Sequence, residues 1–165
     1  QLAKAYGAAS VTLVGLDDER LALGRRLGAD RIVHSGQSSP DANVGGEADL
    51  AAGAFDFAIE AAGSPDAVAG CFRHVAPGGT VVLYGLHGEG RATIDSDDVV
   101  RGDLTVCTCT SAPLLWEKGI RLAQSGRIDV GGIVTRLVPE AEAADLFNGM
   151  LAGSSRPVKA VIIRD

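Results

Sequence analysis

Three cysteines and three histidines are the side chains best able to hold a metal or attack a substrate. Their spacing argues against both uses. Cys71, Cys107 and Cys109 form no Cys-x-x-Cys pair. Cys107 and Cys109 alternate as strand residues do, which suits thiols packed as small hydrophobes. His34, His74 and His87 are scattered along the chain and read as packing or surface residues. A metal site or a catalytic residue within this chain is therefore not expected. A different chemistry is suggested by four short runs: Gly15–Arg20, Ala61–Ser64, Gly85–His87 and Cys107–Ser111. Each follows an apolar run, and three of the four begin with small residues. Small residues at a turn let a flat ligand lie close to the backbone. Ordinary turn punctuation would use the same residues, and Asp17 and Asp18 would serve equally as helix caps.

The elements that would position these runs alternate between strand and helix. Residues 1–7 read as the end of a helix stopped by Gly7. Residues 10–15 form an apolar, β-branched strand of the kind covered on both faces. A helix starts at Asp17 and runs to Leu27, with Gly28 as its stop. Residues 31–34 form another strand. Residues 35–54 break the rhythm and are expected to be an irregular loop, with one helical turn near 48–52. The strand 55–60 is followed by a helix from Ser64 and Pro65 to Val75, with serine as N-cap and proline in the first turn. Pro77-Gly78-Gly79 is expected to be a tight turn before the strand 80–84. A polar stretch from 87 to 103 carries a short helix at 95–100. The strand 104–110, a helix from 113 to 126, an apolar run at 133–138, a helix at 139–151 and a strand at 157–163 complete the chain. This alternation, with continuous apolar strands, predicts an α/β fold with a mainly parallel sheet and helices on both faces. Ligands of such sheets bind beyond the carboxyl ends of the strands, which is where the four runs fall.

Composition narrows the partners. The chain has 165 residues, 46% hydrophobic and 22% charged, as expected of one globular domain. A net charge of −6 argues against nucleic acid, whose binding needs a basic face. No apolar run approaches the roughly 20 residues that span a bilayer. The first residues, Gln1-Leu2-Ala3-Lys4, read as helix interior and not as a secretory leader. An odd number of cysteines suits a reducing cytoplasm.

Three blocks together resemble the coenzyme domain of medium-chain dehydrogenases, in particular the zinc-type alcohol and polyol dehydrogenase group. The first runs from Gln1 to Asp30, with Asp18-Glu19-Arg20-Leu21 and Arg26-Leu27-Gly28-Ala29-Asp30. The second runs from Phe55 to Gly63 and includes Glu60-Ala61-Ala62-Gly63. The third is Ala76-Pro77-Gly78-Gly79 through Gly85. The resemblance covers nearly the whole chain. It implies a Rossmann-like, doubly wound fold that is incomplete, because the family's first strand and its Gly-x-Gly-x-x-Gly turn have no counterpart here. Strand 1 is central in the order 3-2-1-4-5-6, so residues 10–34 and 55–110 would lack a shared strand. The expectation is a piece of a longer protein, or a chain that completes its sheet by strand exchange with a partner. Residues 1–132 would be a partial NAD(P)-binding Rossmann domain. Residues 133–165 would be a C-terminal segment returning to a catalytic domain that carries the zinc.

The resemblance also implies residue roles. Gly15 stands where NAD-dependent relatives carry an acid for the adenosine ribose, which leaves NAD or NADP open. Asp17 could take over that ribose contact, and Arg20 matches a basic position reaching the same sugar. Ala61, Ala62 and Gly63 match the stretch passing the adenosine and the nicotinamide-side ribose. Gly85 and Leu86 match a turn meeting the nicotinamide carboxamide. Cys107 and Cys109 match the strand end touching the same group and lying near a subunit interface. The implied parent is an NAD(P)-dependent alcohol or polyol oxidoreductase acting on a small alcohol or ketone, as a homo-oligomer (dimer or tetramer). The chain alone would be inactive. A zinc-free quinone or enoyl reductase of the same superfamily is one alternative. A non-catalytic nucleotide-binding or assembly module is another.

Overall fold

A computed structural model describes residues 1–36, 45–88, 90–111 and 113–164. It divides into two compact units, Gln1–Glu47 with Glu117–Asp165, and Ala48–Trp116.

In the first unit, α1 (Leu2–Ala5) leads to β1 (Thr12–Gly15), α2 (Asp18–Arg26), β2 (Arg31–His34) and β3 (Gly45–Gly46). The three strands form one parallel sheet in the order β1-β2-β3, with Thr12 opposite Arg31 and Gly15 opposite His34. Helix α2 begins where its acids predict. The Asp17 carboxylate accepts the Arg20 backbone N–H at 2.9 Å, while Asp18 and Glu19 occupy the positive end of the helix. Leu21 and Leu23 of α2 and Ile32 and Val33 of β2 are buried, the two strand residues on opposite faces of the sheet. Burying each such side chain contributes about 1.5–3 kcal/mol. Lys4 bonds Asp30 at 2.8 Å, and Asp30 accepts the Val11 N–H at 2.7 Å. The chain returns through α5 (Trp116–Gln124) to β7 (Arg136–Pro139), α6 (Ala143–Leu151) and β8 (Ala160–Ile163). β7 and β8 pair in parallel as a separate two-stranded sheet, with Val138 and Leu146 buried.

In the second unit, β4 (Phe55–Glu60), α3 (Pro65–His74), β5 (Val75–Leu83), α4 (Ser96–Arg101) and β6 (Thr105–Thr108) follow one another. The sheet order is β4-β5-β6, all parallel. Ser64 caps α3 by accepting the Ala67 N–H at 3.2 Å, and Asp95 caps α4 by accepting the Asp97 N–H at 2.9 Å. Glu60, Val81 and Val68 of α3 are buried. The opposite face of β4 is open: Phe57 is 69% exposed and Ile59 62%.

The result is Rossmann-like: parallel sheets flanked by helices. β1-β2-β3 and β4-β5-β6 are separate sheets, and among the described residues no strand hydrogen-bonds to both. Two details depart from expectation. Within the 35–54 stretch, Gly45 and Gly46 pair with Val33 and His34. The helical turn expected near 48–52 is present as a 3-10 turn at Glu47–Asp49. Residues 37–44 of that stretch lie outside the described residues. Pro77-Gly78-Gly79 is not a turn between elements but a bulge inside β5. Val75 pairs with Phe55 before it, and Thr80 resumes with Phe57 after it. Gly78 has φ +76°, a conformation open to glycine, and its N–H is taken by the Gly102 carbonyl at 2.7 Å.

Candidate functional site

Both β4 and β5 run in the same direction, so their carboxyl ends open loops on the same side of the second unit's sheet. Residues 61–64 follow β4 and residues 84–87 follow β5. The two loops are fastened together. The Glu60 carbonyl accepts the backbone N–H groups of Tyr84 (2.9 Å) and Gly85 (3.1 Å). The Glu60 side chain accepts those of Ala62 (2.8 Å), Gly63 (2.7 Å) and Gly85 (3.1 Å). Gly63 lies at φ +73°, and a Cβ on it would sit 2.6 Å from the Leu86 carbonyl oxygen. A Cβ on Gly85 would sit 2.5 Å from Glu60 Oε2 and 2.8 Å from the Gly63 Cα. These glycines are therefore small because the loops pack on each other. Above them Ala61, Ala62 and Leu86 face outward, Leu86 at 92% exposure. They form an apolar ledge at the carboxyl end of a parallel sheet, where a flat ring can lie against backbone.

Cys107 lies opposite Val82 in β6, on the open face shared with Ile59. Cys109 lies just beyond the strand, and both thiols are free and exposed. Core packing, the bland expectation for them, is not what they do within this unit.

The first unit carries the other three candidates. Gly15 ends β1, and a Cβ there would lie 3.3 Å from Leu21 Cδ2, so its smallness also serves packing. Asp17 is occupied as the α2 cap. Arg20 is exposed, and its guanidinium donates to the Pro157 carbonyl at 3.3 Å. Lys4 holds the Asp30 carboxyl below its ordinary value, aided by the Val11 N–H. Among the described residues, no group of three or more His, Cys, Asp or Glu side chains could hold a metal ion. No described helix is long and apolar enough to cross a membrane.

The residue that sequence reasoning passed over is Glu60. Its signal was the two-residue period of β4: Ala58 and Glu60 share a face, so an inward acid at the strand end needed partners.

Comparison with known proteins settles the kinship. The family model described as zinc-binding dehydrogenase matches residues 1–125. The chain belongs to that family. It is 30% identical over 159 residues to an L-threonine 3-dehydrogenase of Bacillus velezensis, covering 92% of this chain and 44% of the relative. The fold is shared with 2R,3R-butanediol dehydrogenase of Bacillus subtilis (TM-score 0.81, 23% identity, 99% of this chain and 46% of that one). It is also shared with an alcohol dehydrogenase of Escherichia coli CFT073 solved with NADH (TM-score 0.82, 17% identity, 98% and 46%). This zinc-binding dehydrogenase chain thus spans less than half the length of these relatives.

Proposed function

We propose that this chain is the coenzyme-binding part of an NAD-dependent, zinc-type alcohol or polyol dehydrogenase. The observation that carries this is the fastened pair of loops at the carboxyl ends of β4 and β5, with Ala61, Ala62 and Leu86 facing outward. In this reading Ala61, Ala62 and Gly63 pass the adenosine and the nicotinamide-side ribose. Gly85 and Leu86 meet the carboxamide, and Cys107 and Cys109 border it. The resemblance assigns Gly15, Asp17 and Arg20 to the adenosine ribose. Three acids, Asp17, Asp18 and Glu19, stand at the start of α2, and Arg20 is turned to a carbonyl. That charge pattern repels a 2′-phosphate and favours NAD over NADP. The nicotinamide, when bound, supplies the carbon that exchanges hydride with the alcohol. This chain's residues bind and orient it. Among the described residues no cluster of side chains fits a zinc ion, so a zinc that polarises the alcohol would take its ligands from the catalytic domain. Residues 1–132 form the coenzyme portion in this reading, and 133–165 the segment returning to the catalytic domain. A cytoplasmic homo-oligomer, dimer or tetramer, accords with the free thiols and with the resemblance.

Titration of the full-length protein with NADH, followed by nicotinamide fluorescence, tests the reading. Saturable binding, with NADPH at least tenfold weaker, is expected. No binding of either coenzyme would refute it in favour of a non-catalytic module.

A further inference from the structure

Glu60 is 1% exposed, and among the described residues its side-chain partners are all backbone amides. No lysine or arginine among them pairs with it. The three amides belong to the two loops that carry the ledge, and none belongs to the helices or to the sheet interior. Together with its carbonyl, one residue gathers the N–H groups of Ala62, Gly63, Tyr84 and Gly85. The geometry is also selective for this side chain. Aspartate, shorter by one methylene, draws the carboxylate back by about 1.5 Å, one carbon–carbon bond, and cannot reach both loops. Glutamine has the length, but in either orientation its amide NH2 faces a backbone N–H, and a donor meets a donor.

We propose that Glu60 is a positioning residue for the coenzyme: its buried carboxylate latches the loop after β4 to the loop after β5 and so holds the backbone ledge in its binding shape. The inference rests on the coenzyme reading above and names the residue that preorganises that site. Preorganisation matters because a loop that must be ordered on binding subtracts its ordering cost from the affinity.

The test compares two variants in the full-length protein. Glu60→Gln removes part of the latch. Val68→Ala opens a cavity at a buried position of α3 and leaves all three amide bonds in place. Three quantities are read for each: melting temperature, NADH affinity by fluorescence with KM and kcat for NAD, and amide hydrogen exchange at Gly63 and Gly85. Glu60→Gln is expected to weaken NADH by about tenfold, the loss of one hydrogen bond to a charged group. It should raise KM for NAD more than it lowers kcat, and speed exchange at both amides. Val68→Ala is expected to lower the melting temperature while NADH affinity stays within twofold. Affinity within twofold of wild type in Glu60→Gln would overturn the proposal. So would an equal loss in Val68→Ala at the same drop in melting temperature, which would make the effect one of stability alone. If Glu60→Gln does not fold, Glu60→Asp replaces it with the same expected outcomes. Wild-type protein that binds no coenzyme refutes the coenzyme reading and with it the coenzyme role of the latch. Exchange then judges the latch itself, which stands only if Glu60→Gln speeds it.

Discussion

Replacing Gly85 by alanine probes the fastening of the two loops while leaving the glutamate itself in place. Gly85 does not have a positive φ, so alanine meets no backbone penalty there, and the cost is steric. The new methyl would lie 2.5 Å from Glu60 Oε2 and 2.8 Å from the Gly63 Cα, and it would also strike the Gly63 nitrogen. Relaxed contacts need about 3.5–4.0 Å. The obstructing atoms are backbone and a carboxylate held by three amides, so the loops must part by about 1 Å. The Gly85 N–H is 3.1 Å from Oε2, and such a shift takes it beyond hydrogen-bond range. Overpacking costs about 1–3 kcal/mol and a lost bond to a charged group about 1.5–3 kcal/mol. These terms overlap, because parting the loops relieves the clash, and about 3 kcal/mol is the expected net. For a cooperative unit of about this length, each kcal/mol moves the melting temperature by about 2–4 °C, so a fall of roughly 10 °C is expected. Gly119→Ala is the contrasting variant. Gly119 lies inside α5 with nothing within 4 Å of an added Cβ. Removing a helix-interior glycine there gains roughly 1 kcal/mol and raises the melting temperature by a few degrees. Circular dichroism melts of the full-length protein, without coenzyme, measure both. A Gly85→Ala melt within about 2 °C of wild type, or a shift in the same direction as Gly119→Ala, would refute the reasoning.

Asp17→Asn keeps an N-cap as good as aspartate, so α2 should lose less than about 0.5 kcal/mol, while the ribose reading predicts NAD affinity at least about tenfold weaker. Coenzyme titration beside a melt separates the two, and unchanged affinity removes Asp17 from the site. Asp30, with its carboxyl held down first by Lys4, ionises more easily folded than unfolded. Its contribution is therefore present above the ordinary aspartate value of 3.8 and is lost as pH falls through the lower folded value. Asp30→Asn should flatten that acid limb in urea midpoints measured against pH, and an unchanged limb would exclude the pair as its source. Phe57→Lys should reduce self-association of the isolated 165-residue chain in light scattering, because Phe57 lies exposed on a strand at a sheet edge. It should change stability by no more than about 0.5 kcal/mol, and an unchanged scattering mass would count against edge-driven association.

The parts of the fold written in local chemistry were legible. Arg31–His34 and Phe55–Glu60 fall where their β-branched and aromatic runs place them. The caps at Asp17 and Ser64 accept backbone N–H groups of the first turns of their helices, as expected. Each of those signals is confined to a few neighbouring residues. What escaped depends on residues far apart in the chain. β3 is two glycines whose only qualification is backbone pairing with Val33 and His34, and no side-chain pattern announces that. The Pro77–Gly79 signal is that of a break, and locally it is one. Only the pairing of Val75 with Phe55, twenty residues away, makes it a bulge within a strand.

The same distinction alters the meaning of the site residues. Small residues after a strand suggest clearance for a ligand. At Gly15, Gly63 and Gly85 the space is already taken, by Leu21, by the Leu86 carbonyl and by Glu60. Only Ala61 and Ala62 keep an outward face. Smallness at this end of the sheet thus serves the ligand at one remove. It lets two loops close on a buried carboxylate, and the closed loops present the backbone a coenzyme could lie on. Glycines at 63 and 85 and a glutamate at 60 should therefore tolerate substitution only together. A bulky residue at 61 or 62 should cost coenzyme affinity while leaving the melting temperature alone, because those side chains meet solvent and not the latch.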